Sequence, residues 1–80
     1  MKILVLHGPN LNLLGTREPA VYGRVRLAQV DRMLRDHARR RGDAVECRQS
    51  NHEGQLIDWL QSAAREGFAG VVFNPGAFTH

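Results

Sequence analysis

Apolar and polar positions along the 80-residue chain fall into blocks of two different periods. Lys2-Ile3-Leu4-Val5-Leu6-His7 is almost continuously apolar and is closed by Gly8-Pro9-Asn10. A short apolar run that stops at turn residues predicts a strand buried on both faces, as in a parallel sheet. From Arg26 to Arg41 the period changes. Leu27, Val30, Leu34 and Ala38 recur at helical spacing with charges between them. Gly42 follows as a residue able to take the left-handed conformation past a helix end. Ala44 to Arg48 alternates weakly and predicts a second strand. Ser50-Asn51-His52-Glu53 has the form of a capping box, with Ser50 as the cap and Glu53 three residues on. The helix it opens carries Leu56, Ile57, Leu60, Ala63 and Ala64 on one face and stops near Gly67. Trp59 lies off the centre of that stripe, placed to reach a partner surface. Phe68 to Phe73 predicts a third buried strand, followed by the turn Asn74-Pro75-Gly76-Ala77.

Strand, helix, strand, helix, strand in this order implies right-handed crossovers and a parallel sheet in one small α/β domain. The segment Leu11 to Arg24 holds Gly15, Pro19 and Gly23 without clean periodicity, and a loop of that length in a compact domain is usually functional. Doubly wound domains ordinarily continue past a third strand, so the expectation is an incomplete domain over residues 1–80.

Charge adds a restriction rather than a function. The formal net charge is +3, and Lys2 is the single lysine beside ten arginines. Arg39-Arg40-Arg41 closes a helix, where cations favour the negative end of the helix dipole. No aromatic residues interleave with the arginines, so the pattern does not point to nucleic acid. The longest apolar run, Ile3 to Leu6, is far short of the ~20 residues that cross a bilayer and too short for a signal-peptide core. The expectation is a cytoplasmic protein without a membrane partner. A single cysteine, Cys47, excludes an internal disulfide and a zinc cluster built on several thiolates. His7, His37, His52 and His80 show no HxxxH or HExxH spacing, so no metal site is expected.

Ligands of open parallel sheets sit beyond the carboxyl ends of the strands. Two segments converge there: His7 to Asn12 after the first strand and Asn74 to His80 after the third. The long loop with Arg17, Glu18 and Tyr22 leaves from the same edge. One rim therefore gathers amides (Asn10, Asn12, Asn74), a guanidinium (Arg17), a phenol (Tyr22) and imidazoles (His7, His80). Each also has a plainer reading. Asn10 and Asn74 shape turns, Tyr22 packs its ring, Arg17 is an exposed loop residue, and His7 is structural. Phosphate-loop patterns are missing, Ser50 and Ser62 lack a Gly-x-Ser-x-Gly turn, and Lys2 is the only amine for a Schiff base. Proton transfer by Tyr, Arg, Asn and His without a cofactor is what remains.

The residues Leu6-His7-Gly8-Pro9-Asn10-Leu11-Asn12-Leu13-Leu14-Gly15, Arg17-Glu18-Pro19 and Tyr22-Gly23 resemble the type II 3-dehydroquinate dehydratases. So do Arg48-Gln49-Ser50-Asn51, Glu53-Gly54, Leu56-Ile57-Asp58 and Asn74-Pro75-Gly76-Ala77-Phe78-Thr79-His80. The resemblance runs through essentially the whole chain. It implies a flavodoxin-like three-layer αβα fold with a parallel sheet, of which this chain supplies the first three strands and two helices. It implies cofactor-free dehydration of 3-dehydroquinate to 3-dehydroshikimate through an enolate, a step of the shikimate pathway toward aromatic amino acids. In that scheme Tyr22 is the general base, Arg17 its activator, and Asn10 holds a water or the developing oxyanion. Asn74, the backbone of Gly76 and Ala77, and His80 bind substrate. The resemblance also implies a trimer-based dodecamer, and a proton-donating histidine and a substrate-binding arginine in the part of family chains beyond this segment. The alternative expectation is a non-catalytic anion-binding module of the same fold, or an inactive fragment.

Overall fold

A computed structural model of the chain describes residues 1–13 and 26–76. Three parallel strands, β1 (Lys2–His7), β2 (Ala44–Gln49) and β3 (Gly70–Asn74), form a sheet in the order β2-β1-β3. Helix α1 (Leu27–Arg40) connects β1 to β2, and α2 (Glu53–Ser62) connects β2 to β3. A 3-10 turn at Leu11–Leu13 follows β1. This is the first half of the flavodoxin-like strand order.

The middle of the central strand, Ile3 to Leu6, is apolar because both of its faces are covered. Successive side chains of a strand point to opposite faces. Leu4 and Leu6 are buried against Leu56, Ala63 and Phe68, with Trp59 and Val71 packed beside them. Val5 and His7 point to the other face, under α1. Parallel register places Cys47 beside Val5, Phe73 beside Leu6 and Asn74 beside His7.

Helix α1 matches its expected stripe: Leu27, Val30 and Leu34 are half-buried, Ala38 is buried and His37 is exposed. At its head, Gln29 Oε1 accepts the Arg26 N–H at 2.7 Å. Past its end Gly42 takes φ +78°, as expected.

Helix α2 departs from expectation in three ways. Ser50 is not its cap: His52 occupies that position, and the Ser50 hydroxyl accepts the His52 N–H at 3.0 Å in a local turn. The helix ends at Ser62, and irregular turns lead to Gly67. Its inward line is Leu56, Trp59 and Ala63, so Trp59 packs on the core rather than reaching outward, while Ile57, Leu60 and Ala64 are exposed. Arg48 from β2 closes this face. Its guanidinium lies 5.6 Å from the Trp59 ring and 5.5 Å from the Phe68 ring, and bonds Glu46 at 2.6 Å and Glu66 at 3.1 Å. That pairing holds the Glu66 carboxyl below its ordinary value. Arg48 is thus a structural arginine rather than a free anion site.

Strand β3 is the open edge that the strand order of an incomplete domain predicts, and its apolar residues are uncovered: Val72 is 55% and Phe73 47% exposed. Phe73, Leu6, Leu56, Ile57, Leu60 and Glu53 line an open groove of about 450 Å³. Unpaired edges with apolar side chains recruit other chains. The isolated 80-residue chain is therefore expected to self-associate, and Val72→Lys to reduce that association. Sedimentation at several concentrations reads it, and a concentration-independent monomer would contradict it.

Candidate active site

The order β2-β1-β3 means that the chain leaves β1 toward one side of the sheet and later returns on the other. The crevice opened by that reversal, beyond the carboxyl ends of β1 and β3, is where ligands of such sheets bind. Here the two loops meet backbone to backbone. The Gly8 N–H donates to the Asn74 carbonyl at 2.8 Å. A Cβ on Gly8 would lie 2.3 Å from the Pro75 carbonyl oxygen, and one on Gly76 would lie 2.6 Å from the Pro9 carbonyl oxygen. Gly76 also takes φ +55°, a conformation that glycine adopts without steric cost.

Asn10 takes φ +68°, a left-handed geometry that asparagine tolerates better than most residues. Its N–H donates to Asn51 Oδ1 at 3.0 Å. Gln49 Nε2 donates to the same oxygen at 3.0 Å and to the Gly8 carbonyl at 3.3 Å, and lies 3.5 Å from Asn12 Oδ1. The Ser50 N–H donates to the His7 carbonyl at 3.0 Å. The ends of all three strands are thereby tied into one rim on which Asn10, Asn74 and Gly76 come together. Arg17, Tyr22, Ala77 and His80 lie outside the described residues.

Sequence reasoning missed two parts of this region. Gln49 and Asn51 build the rim, but apart from the resemblance they look like ordinary loop residues. Beneath the rim, His7 is 2% exposed, and its Nε2 lies 2.8 Å from Oδ1 of Asp31 on α1. The Cys47 sulfur lies within 4.8 Å of the same carboxylate. A signal for this cluster was available. Asp31 falls on the inward line Leu27, Asp31, Leu34, Ala38, where a carboxylate needs a buried partner.

The donor atoms of His7, Asp31 and Cys47 lie within 4.8 Å of one another, a set that could in principle approach a cation. Burial and then the Asp31 charge push the Cys47 thiol from its ordinary 9.0 up to about 12, so it keeps its proton. Among the described residues every buried side-chain nitrogen and oxygen has a partner. The reactive species of cysteine is the thiolate, and at neutral pH this shift reduces its fraction roughly a thousandfold. Cys47 is accordingly expected to resist iodoacetamide in the folded protein and to react readily in urea. Equal rates in both states, read by mass spectrometry, would contradict the raised pKa of this half-buried thiol.

A profile of the class II dehydroquinases matches residues 1–80. The chain belongs to that family. It is 61% identical to the 3-dehydroquinate dehydratase of Variovorax paradoxus (strain S110), an alignment covering 99% of this chain and 57% of the relative. It is 62% identical to 3-dehydroquinate dehydratase 2 of Ralstonia nicotianae, covering 98% of this chain and 53% of the relative. Among solved structures, the type II dehydroquinase of Butyrivibrio crossotus superposes with a TM-score of 0.90 at 49% identity, over all of this chain and 55% of that one. The chain spans about half the length of the curated relatives it matches. The fold is the flavodoxin-like α/β arrangement of this family, represented by three strands and two helices. No described helix is long and apolar enough to cross a membrane.

Proposed function

We propose that the protein carrying this chain dehydrates 3-dehydroquinate to 3-dehydroshikimate at the rim formed by the loops after β1 and β3. The observation that supports this most is the identity of about 60% to relatives named 3-dehydroquinate dehydratase, extending over essentially the whole chain. The rim supplies the setting. Asn10 and Asn74 stand on opposite sides of the crevice, and the tight approach of Gly8 to Pro75 fixes their separation.

Tyr22 acts as the base. Its phenolate takes a proton from the carbon beside the ketone, leaving an enolate. The enolate then expels the hydroxyl on the next carbon, which leaves as water on taking a proton from a general acid, the role the resemblance gives to a histidine outside residues 1–80. Arg17 favours the phenolate, because a guanidinium nearby stabilises the charged form. Asn10 holds a water or the enolate oxygen, as a preorganised dipole does. Asn74, the backbone of Gly76 and Ala77, and His80 bind the hydroxyls and carboxylate of the substrate. The protein works in the cytoplasm on the shikimate pathway and assembles from trimers, with no cofactor required.

The product is a conjugated enone, so its formation can be followed by ultraviolet absorbance. The full-length protein is expected to produce it from 3-dehydroquinate. Full-length protein that binds 3-dehydroquinate without forming the enone would overturn the reading.

A further inference from the structure

The buried pair beneath the rim belongs to none of the roles above. We propose that Asp31 is a positioning residue: by accepting the His7 Nε2–H it fixes the histidine tautomer that orients the carboxamide of Asn74 toward substrate. The proposal rests on the reading of the rim as the site of 3-dehydroquinate dehydration.

The geometry runs in one direction. Asp31 Oδ1 lies 2.8 Å from His7 Nε2, and a carboxylate only accepts, so Nε2 carries the hydrogen. In neutral imidazole that leaves Nδ1 as an acceptor. Asn74 Nδ2 lies 3.5 Å from Nδ1 and donates to it. With its nitrogen engaged there, the carboxamide presents its oxygen to the crevice as a hydrogen-bond acceptor. His7 is buried, so bulk water offers no ready substitute partner for either ring nitrogen. The register that sets Asn74 beside His7 on one face of the sheet makes the contact a consequence of strand pairing.

The opposite tautomer would have the opposite result. An Nδ1–H would face the Asn74 amide hydrogens, donor against donor. The carboxamide would relieve this by turning over, presenting its nitrogen to the crevice. The rim would then offer a donor where it now offers an acceptor. Asp31 therefore acts on a substrate-binding amide from α1, two side chains away, without touching substrate.

The test uses the full-length protein and two kinds of measurement. Nitrogen-15 NMR of the unmodified protein should show His7 as the Nε2–H tautomer; finding Nδ1–H there overturns the proposal, whatever the variants do. Asp31→Leu removes the acceptor and should admit the Nδ1–H form. KM for 3-dehydroquinate should rise roughly tenfold, the worth of one ordinary hydrogen bond, while kcat changes less than about threefold. Asp31→Asn keeps an oxygen that can accept the His7 Nε2–H and should restore both the tautomer and KM. A merely structural role predicts lower thermal stability in Asp31→Leu with KM unmoved, and that outcome overturns the proposal. Should the unmodified protein bind 3-dehydroquinate without converting it, the dehydratase reading fails. The tautomer and the binding affinities then still decide the role of Asp31.

Discussion

Tyr22→Phe is expected to abolish turnover of 3-dehydroquinate by the full-length protein while leaving ligand affinity near that of the parent. The ring still fills its place, but the group that accepts the proton is gone. A positioned base contributes roughly 10²–10⁴-fold, so the loss should be of at least that order. A phenol with an ordinary pKa near ~10 is mostly protonated at neutral pH. It needs a cation to become a base, and each unit of lowering corresponds to ~1.4 kcal/mol. The resemblance gives that role to Arg17, and Lys2, the only lysine, lies at the far end of β1 from the rim. Arg17→Ala should therefore cut turnover almost as much as Tyr22→Phe. Combining the two should cost little more, because groups that act as a unit lose activity non-additively. Steady-state kinetics and ligand affinity of both single variants and the double decide it. Independent multiplication of the losses would show that Arg17 clamps substrate instead of activating Tyr22.

The second large effect is expected from a single methyl group. Gly8→Ala would put a carbon 2.3 Å from the Pro75 carbonyl oxygen, and both partners are backbone. Neither can rotate away, so the loops after β1 and β3 must separate. Overpacking of this kind costs about 1–3 kcal/mol or more. Displacement of Asn10 relative to Asn74 by about 1 Å is enough to lower turnover roughly 10²-fold. Gly54→Ala supplies the contrast. Nothing lies within 4 Å of that position, which sits in the first turn of α2. Alanine there should be neutral or should stabilise by up to about 1 kcal/mol. Thermal melting and activity of the two variants separate the readings. A Gly8→Ala protein with parental melting temperature and turnover would mean that the close approach does not fix the rim.

Much of the fold was legible because periodicity responds to burial. The run Ile3 to Leu6 betrayed a strand covered on both faces, and Leu27 to Ala38 betrayed a helix covered on one. The misreadings have a common physical origin. The apolar stripe Leu56, Ile57, Leu60, Ala63 and Ala64 is wider than the face of α2 that packs, because β3 is an edge. Ile57 and Leu60 therefore look into an open groove beside Phe73, and Trp59 takes the inward position. The Ser50 motif failed because its hydroxyl is satisfied two residues on, before the helix begins.

Of the candidate site, Asn10, Asn74 and Gly76 could be placed from strand order alone, since the crevice follows from topology. The motifs that carried the family resemblance are the loops that touch each other here, Gly8-Pro9-Asn10 against Asn74-Pro75-Gly76. Asp31 and Cys47 could not be placed, because their meeting depends on how α1 lies across β1 and β2. That is tertiary information which no local spacing contains. The nearest hint was a carboxylate on the apolar line of a helix.

The position of the bound ligand decides whether the rim is the site of dehydration. The direct measurement is a crystal structure of the full-length protein with 3-dehydroquinate or its product bound. The ligand is expected in the crevice between the loops after β1 and β3. Asn10, Asn74 and the backbone of Gly76 should lie within hydrogen-bonding distance of its polar groups, with the Tyr22 oxygen within reach of the carbon beside the ketone. A ligand seated in the apolar groove between α2 and β3, with the crevice empty, would contradict it.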